Sequence, residues 1–192
     1  MTINFYQTNA QPFFDSTVKV DMSSLYAAFT AQLPPAARVL DAGCGSGRDS
    51  KAFREMGYQV EAFDASSEMV KLASHYAGIP VRHLTFQALD ETGRYDGIWC
   101  CASLLHVPAA ELLDAMQTLA RALKPGGVWY VSFKYGDGER EKDGRHFTDH
   151  NEQSLAGVIE QLSGIDIQSM WMTEDKRPER NEIWLNALLI KA

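Results

Sequence analysis

The chain has 192 residues, of which 45% are hydrophobic and 22% are charged, as in one globular domain and unlike disordered, collagen-like or coiled-coil proteins. Its 18 Lys and Arg residues against 25 Asp and Glu residues give a net charge of −7, which disfavours binding to nucleic acid or anionic lipid through overall charge. The three cysteines, two of them adjacent, argue against a disulfide framework. The chain starts with neither a basic nor an apolar signal-like segment, so we expect a cytoplasmic protein. We also expect no membrane-spanning segment and no metal site.

Short runs of β-branched and aromatic residues alternate with helical patterns along most of the chain. The predicted strands span residues 38–41, 59–64, 81–86, 97–101, 128–133, 165–172 and 183–190. The predicted helices cover the stretch before the first strand, the stretches ending at Gly57 and Gly78, residues 108–124 and residues 149–163. This alternation predicts an α/β three-layer sandwich with a mostly parallel, Rossmann-like sheet. Only the polar turn 173–182 joins the last two strands, so we expect a hairpin and an antiparallel strand.

We expect a single domain over residues 1–192, divided into three stretches. Residues 1–35 form a helical or lid segment, and residues 36–134 form a ligand-binding core. Residues 135–192 supply a loop on the substrate side, a helix and the terminal hairpin. In open α/β sheets the ligand lies beyond the carboxyl ends of the strands, so candidate site residues are those that follow each strand.

A glycine-rich loop follows the first predicted strand, with the sequence Asp41-Ala42-Gly43-Cys44-Gly45-Ser46-Gly47-Arg48-Asp49. Alternating glycines let the backbone turn sharply and let a ligand approach it closely. The start of the following helix offers unpaired N–H groups. A pyrophosphate-binding loop has the spacing G-x-G-x-x-G, and here Arg48 stands at the third glycine position. Asp41, before the glycines, would repel a pyrophosphate and attract an amino group.

The second predicted strand ends at Asp64, 17 residues after Gly47. A carboxylate at this place can accept hydrogen bonds from both ribose hydroxyls of a nucleoside that lies across the strand ends. Alternatively, Asp64 caps the helix that follows it. The neighbouring glycine loop favours the ribose-binding interpretation.

These two motifs are followed, in order, by Tyr95-Asp96-Gly97-Ile98 and Leu123-Lys124-Pro125-Gly126-Gly127. In this order the stretch 38–133 resembles the class I S-adenosylmethionine-dependent methyltransferases. The resemblance implies a seven-stranded sheet with an antiparallel last strand, and S-adenosyl-L-methionine as the cofactor. It implies that Asp41 and the glycine loop hold the methionine part and that Asp64 holds the ribose. The cofactor-binding candidates are Asp41, Gly43, Cys44, Gly45, Gly47, Arg48, Asp64, Ala65, Met69, Gln87, Ala88, Cys101 and Ala102.

Comparison with the family pattern concerns two features, the residue that faces the adenine and the residues that could assist methyl transfer. The third strand usually leads to an Asp or Asn that faces the adenine amino group, whereas here Gln87 stands there and can use its amide oxygen. Methyl transfer is an in-line displacement that needs a base only when the nucleophile arrives protonated. His106, after the fourth strand, is the candidate base, and Lys134, after the fifth, is the second catalytic candidate. The alternatives are a histidine bonded to backbone and a solvated lysine.

Aromatic residues are frequent in the N-terminal stretch, which has no predicted strand. Tyr26 and Phe29 fit one helix face and are predicted to pack on the core. Tyr6 and Phe13 are predicted to form a lid over the ligand, because a ring face attracts a cation such as a sulfonium.

Cationic residues gather in two polar stretches near strand ends, 136–147 and 173–182. If both stretches fold inward, they form with Lys134 a pocket for an acceptor that carries a carboxylate or phosphate. The alternative for the first stretch is a solvated mobile loop. The candidate substrate-binding residues are Tyr6, Phe13, Arg140, Arg145, His146, Arg177 and Arg180.

The leading hypothesis is a methyltransferase that acts on a small-molecule acceptor. The alternatives are an NAD-type oxidoreductase, which Arg48 disfavours, a cofactor-binding regulator without catalysis, and an RNA-directed methyltransferase. The sequence lacks the Asn/Asp-Pro-Pro-Tyr/Phe tetrapeptide of nucleobase methylases, and its negative charge makes nucleic acid a less favoured partner. The acceptor and the oligomeric state stay open.

Overall fold

The computed structural model describes residues 2–177 and 180–192. The strands in these ranges are β1 (Arg38–Ala42), β2 (Gln59–Asp64), β3 (Val81–His83), β4 (Tyr95–Cys100), β5 (Leu123–Lys134), β6 (Gly138–Lys142), β7 (Arg145–Asp149), β8 (Ile165–Glu174) and β9 (Ile183–Lys191). The helices are α1 (Thr2–Thr8), α2 (Ala10–Thr17), α3 (Ser23–Thr30), α4 (Arg48–Glu55), α5 (Ser67–Ala77), α6 (Ala109–Ala122) and α7 (Glu152–Ile159), with short 3-10 turns at Phe86–Ala88 and Leu104–His106. In the described part of the chain, none of the helices has the length and apolar character needed to cross a bilayer.

Seven of the strands form one sheet in the order β3-β2-β1-β4-β5-β9-β8. The neighbouring pairs from β3 to β5 are parallel, whereas β9 runs antiparallel to both β5 and β8. The predicted α/β fold, with a mostly parallel seven-stranded sheet and an antiparallel last strand, is therefore confirmed. The strand order reverses at β1, between β2 and β4, and the carboxyl ends of strands at such a reversal form a ligand-binding crevice.

Each face of the sheet has its own hydrophobic core, because the central strands are buried on both sides. On one face, α6 contributes Leu112 and Met116 from the predicted apolar stripe. On the other face, Tyr26 and Phe29 of α3 contact Trp99 of β4 with ring centroids 5.6 and 5.1 Å apart. The prediction that Tyr26 and Phe29 pack on the core is confirmed. Burial of a large apolar side chain stabilises the fold by about 1.5–3 kcal/mol.

Two predicted segments differ from the structure. The third strand ends at His83, and the following residues form a 3-10 turn. The polar stretch 136–147, for which a solvated loop was the simple expectation, forms the antiparallel hairpin of β6 and β7. In this hairpin Arg140 Nε donates to Asp149 Oδ2 at 2.5 Å, and the Phe147 ring is buried. An ion pair and one buried ring thus order a segment whose composition indicates a loop.

Gly47, the residue before α4, fixes how closely α4 approaches α5. Its φ of +75° lies in the left-handed region, which favours glycine. A Cβ atom on Gly47 would lie 3.0 Å from backbone atoms of Ala73 on α5. Both the conformation and the packing therefore require a residue without a side chain.

We expect Gly47→Ala to destabilise the protein more than Gly164→Ala. Gly164 also has a positive φ, +69°, but a Cβ atom there would meet nothing within 4 Å. Its replacement therefore costs only the left-handed strain, about 1–2 kcal/mol. Gly47→Ala adds the clash with Ala73 and should cost about 3 kcal/mol or more. Urea unfolding of both variants measures the difference, and equal losses would show that the contact of α4 with α5 tolerates a side chain.

Candidate active site

A cavity of about 480 Å³ opens at the carboxyl ends of the central parallel strands. Its walls are the glycine loop, both 3-10 turns, α1, β7 and the turn between β8 and β9. Most of the predicted site residues line this cavity: Tyr6, Phe13, Gly43, Cys44, Gly45, Arg48, Asp64, Ala65, Met69, Gln87, Cys101, Ala102, His106, Lys134, Arg145, Arg177 and Arg180. Residues from the two ends of the chain therefore meet the glycine loop in one place.

Three of the predicted cofactor-binding residues lie outside the cavity wall. The Asp41 carboxylate is buried and accepts a hydrogen bond from Ser50 Oγ at 2.6 Å, because β1 directs this side chain toward α4. Gly47 serves the packing of α4 on α5, as described above. Ala88 is exposed at the end of a 3-10 turn. The structure thus does not place these residues in the described cavity wall, and their contacts with a cofactor stay predictions.

Two predicted substrate-binding residues of the β6–β7 hairpin are also absent from the described cavity wall. Arg140 is held by its ion pair with Asp149. His146 Nε2 lies 3.2 Å from Thr148 Oγ1. Because side chains alternate along a strand, His146 faces away from the side on which its neighbour Arg145 reaches the cavity. The hairpin thus brings Arg145 to the cavity and leaves Arg140 and His146 outside it.

Asp64 ends β2 at the floor of the cavity, beside the glycine loop. The Gly45 N–H donates to Asp64 Oδ2 and the Ser66 N–H donates to Oδ1, both at 2.9 Å. Each carboxylate oxygen keeps a further lone pair for a ligand hydroxyl. Burial raises the pKa of Asp64, which the hydrogen bonds from Ser66 and Gly45 oppose. Asp64 therefore combines the helix-start contact with a position that suits a diol.

Gln87 lines the cavity from the 3-10 turn that follows β3. Its Nε2 donates to Glu111 Oε2 at 3.2 Å. With the amide nitrogen engaged in this way, the amide oxygen can accept a hydrogen bond from a ligand amino group. Asp90, the next acidic residue along the chain, is exposed and is not part of the described cavity wall.

Asp49 is a cavity-lining residue that the sequence analysis missed. It is buried and forms a bidentate pair with Arg48, with Nε to Oδ1 at 2.6 Å and Nη2 to Oδ2 at 3.0 Å. The Tyr26 hydroxyl and the Trp99 indole N–H also donate to it, at 2.5 and 2.8 Å. An acidic residue directly after Arg48 was the available signal. The other partners of Asp49, Tyr26 on α3 and Trp99 on β4, are distant in sequence and gave no signal.

His106 has a defined tautomer because one of its ring nitrogens faces a carbonyl group. Nδ1 lies 2.7 Å from the His146 carbonyl oxygen and must therefore donate. Nε2 then carries a lone pair, and it accepts the hydrogen bond from the Tyr6 hydroxyl at 2.8 Å. A neutral imidazole with its basic nitrogen toward Tyr6 and the cavity has the form of a general base.

The surroundings of His106 keep the imidazole neutral. Burial lowers the pKa of His106 to about 4, and the positive charges of Arg145 and Lys134 act in the same direction. The hydrogen bond to the His146 carbonyl opposes them. At neutral pH the Nε2 lone pair is therefore available, although the resting basicity is low.

The cationic side chains from the two predicted polar stretches reach one rim of the cavity. Lys134 Nζ lies 2.5 Å from Glu182 Oε1, and burial lowers the pKa of Lys134 while this carboxylate opposes the shift. Arg177 Nη2 lies 2.5 Å from Asp175 Oδ2. Arg145 lines the same cavity from β7. Residues of both stretches therefore line one cavity, and two of the cations on its rim, Lys134 and Arg177, are already paired.

A family model described as a methyltransferase domain matches residues 14–167. The chain belongs to this methyltransferase family. The resemblance to class I S-adenosylmethionine-dependent methyltransferases is therefore confirmed, and the cavity is lined by the glycine loop and Asp64, which belong to the matched range.

Several proteins are similar to this chain over part or most of its length. A ubiquinone biosynthesis O-methyltransferase of Xanthomonas campestris pv. campestris is 37% identical over 105 residues, which are 51% of this chain and 43% of the relative. The chain thus spans less than half the length of the curated relatives it matches.

Solved structures with a similar fold include the Burkholderia thailandensis 1,6-didemethyltoxoflavin-N1-methyltransferase with bound 1,6-didemethyltoxoflavin and S-adenosylhomocysteine. It superposes with a TM-score of 0.79 and is 24% identical, and the superposition covers 99% of this chain and 85% of the other. The magnesium protoporphyrin IX methyltransferase of Synechocystis, solved with S-adenosylmethionine, has a TM-score of 0.68 at 22% identity, with 96% and 81% covered. These structures share the fold.

We expect His106 to titrate near pH 4 rather than at its ordinary value of 6.5. Because the pKa is lower in the folded than in the unfolded state, His106 favours folding above pH 6.5, and this contribution is lost as the pH falls toward 4. Between pH 7 and pH 5 the loss should be on the order of 2 kcal/mol. The ring signals of His106 in NMR titrations check the midpoint, and urea unfolding of wild type and His106→Asn checks the loss. A midpoint near 6.5 would contradict the buried environment.

Proposed function

We propose that this chain transfers a methyl group from S-adenosyl-L-methionine to a small acceptor that carries an anionic group. The observation that carries the proposal is the continuous cavity that joins Asp64 and the glycine loop at one end to His106 at the other. The first end has the chemistry to bind a nucleoside, and the second has the chemistry to remove a proton.

The residues present fit this cofactor. Asp64 presents a carboxylate with lone pairs to spare for the ribose hydroxyls, and Gln87 presents an amide oxygen for the adenine amino group. Gly43 and Gly45 leave room for close approach to the loop backbone. Cys101 and Ala102, after β4, would face the methionine part. When bound, the cofactor would supply an activated methyl group for a one-step displacement.

His106 would act when the acceptor arrives with a proton on its nucleophile. Its Nε2 lone pair takes the proton, while the His146 carbonyl holds Nδ1–H and stabilises the imidazolium that forms. In the structure the Tyr6 hydroxyl occupies the position of a donor to Nε2. An acceptor hydroxyl or ammonium would either replace Tyr6 there or pass its proton through it. Lys134, the second catalytic candidate, is paired with Glu182 Oε1, so contact with the acceptor would require it to leave this partner.

The size and charge of the cavity and the substrates of related proteins support a small acceptor that carries a negative charge. The cavity volume of about 480 Å³ is of the order expected for a cofactor and a modest second ligand. A Xanthomonas relative and a Burkholderia structural neighbour are named for small-molecule substrates. Cations on the rim, among them Arg145, Arg177 and Arg180, favour an acceptor with negative charge.

Calorimetry with S-adenosylhomocysteine and with NAD tests the cofactor class. We expect micromolar binding of the first, and binding of NAD alone would overturn the proposal. Incubation with S-adenosylmethionine and panels of phenols, amines and carboxylic acids, with S-adenosylhomocysteine release as the signal, then tests turnover. Cofactor binding without turnover of any acceptor would favour the regulator hypothesis.

We expect Asp64→Ala to weaken S-adenosylhomocysteine binding by about 1.5–3 kcal/mol, the scale of hydrogen bonds to a charged group. Asp90→Ala is the matched control, because Asp90 is an exposed carboxylate outside the described cavity wall. Calorimetry measures both affinities, and thermal unfolding shows that each variant is folded. Unchanged affinity in a folded Asp64→Ala protein would remove Asp64 from the ribose site.

A further inference from the structure

Arg145 differs from other cations around the cavity in how its charge is balanced. The guanidinium of Arg48 and the ammonium of Lys134 lie 2.6 and 2.5 Å from a carboxylate oxygen, and Arg177 lies 2.5 Å from one. The carboxylate near Arg145 is that of Asp143, at 3.7 Å, and 64% of the Asp143 side chain is exposed. Arg145 therefore brings a largely uncompensated positive charge to the cavity wall.

Aromatic rings hold the guanidinium of Arg145 in place. It lies 4.5 Å from the ring centroid of Phe5 and 5.3 Å from that of Phe147. The side chain is only 14% exposed, and its Nε–H is buried without an acceptor among the described residues. An arginine fixed by stacking, with an unused donor, is arranged to bind a ligand oxygen at little further loss of side-chain entropy.

The strand that carries Arg145 also orients the base. On β7, the carbonyl of His146 fixes the tautomer of His106, and the ring of Phe147 lies 4.9 Å from the His106 ring centroid. The charge of Arg145 acts on both His106 and Tyr6. An anionic group held by Arg145 therefore lies on the same side of the cavity as the nitrogen that accepts the proton.

We propose that Arg145 binds a carboxylate of the acceptor and is the residue that selects acceptors bearing one. This inference rests on the proposed function and narrows the acceptor to a small hydroxy acid or amino acid, whose carboxylate faces Arg145 while its hydroxyl or amino group faces Tyr6 and His106. A planar carboxylate matches the guanidinium fork, and its single charge matches that of Arg145, which lacks the close carboxylate partner that Arg48, Lys134 and Arg177 have. A phosphate would bring about two charges, whereas Lys134 and Arg177 are already paired.

Binding of 4-hydroxybenzoate and of its neutral analogue 4-hydroxybenzamide tests the inference, with and without S-adenosylhomocysteine. We expect the wild type to bind the carboxylate at least about tenfold more tightly than the amide. Arg145→Gln should remove this preference and leave S-adenosylhomocysteine affinity unchanged, and Arg145→Lys should restore part of it. Lys142→Gln is the matched control, since it removes a positive charge from the same hairpin at a side chain that is 49% exposed.

A second readout reports on the site even if Arg145→Gln unfolds. Neutralisation of Arg145 by a bound carboxylate should raise the pKa of His106, which NMR measures in the wild type with benzoate and with benzamide. Equal affinities for acid and amide, equal losses in Arg145→Gln and Lys142→Gln, or no binding of any of these carboxylates would overturn the inference. A carboxylate preference in a protein that does not bind S-adenosylhomocysteine would instead leave the Arg145 site standing and remove the proposed methyl transfer.

Discussion

The buried carboxylate of Asp49 is the contact on which the rest of the site depends. It accepts hydrogen bonds from Tyr26, Trp99 and Arg48 and so joins α3, β4 and the start of α4. Burial alone would raise the pKa of Asp49, but the Arg48 charge and these donors lower it, so the carboxylate stays ionised. Loss of its charged partner Arg48 would leave the Asp49 carboxylate buried without a compensating positive charge, at a cost of about 3–5 kcal/mol. The glycine loop precedes α4 directly and inherits its position from this contact.

A second carboxylate behind the loop shows why the first one matters. Burial and the negative charge of Asp49 both raise the pKa of Asp41, whose partner is the Ser50 hydroxyl. Two ionised carboxylates in this apolar layer would repel each other, whereas one ionised and one protonated group are compatible. The pair therefore places one net charge, balanced by Arg48, beneath the loop. This arrangement gives Asp41 a structural role behind the loop, and the ligand contact implied by the family resemblance stays a prediction.

The features of the fold and site that could be predicted from the sequence are those that depend on residues close together in the chain. Strand runs, helix stripes and glycine spacing depend on neighbours a few residues apart, and they predicted the sheet, the loop and the position of Asp64. The direction of the Asp41 side chain and the pairing of Arg140 with Asp149 depend on which face of a strand each residue occupies and on the register of a hairpin. A shift of one residue reverses such a face, so composition could not fix it. The pairing of β6 with β7 was not predicted for the same reason, because their polar composition does not specify a hairpin register.

α1 forms part of the cavity wall, to which it contributes Thr2, Ile3 and Tyr6. No residue of α1 is fully buried, and the helix is held by the ring contacts of Phe5 with Arg145 and of Tyr6 with Phe13 together with a few hydrogen bonds. Gln7 Oε1 accepts a hydrogen bond from Ser66 Oγ at 2.9 Å, Thr2 Oγ1 accepts one from a backbone N–H of β7 at 2.9 Å, and Tyr6 donates to His106. Each such bond contributes about 0.5–1.5 kcal/mol, so release of α1 costs a small fraction of global unfolding. Because Tyr6 belongs to this helix and donates to His106 Nε2, a displacement of α1 from the cavity would also uncover the basic nitrogen of His106.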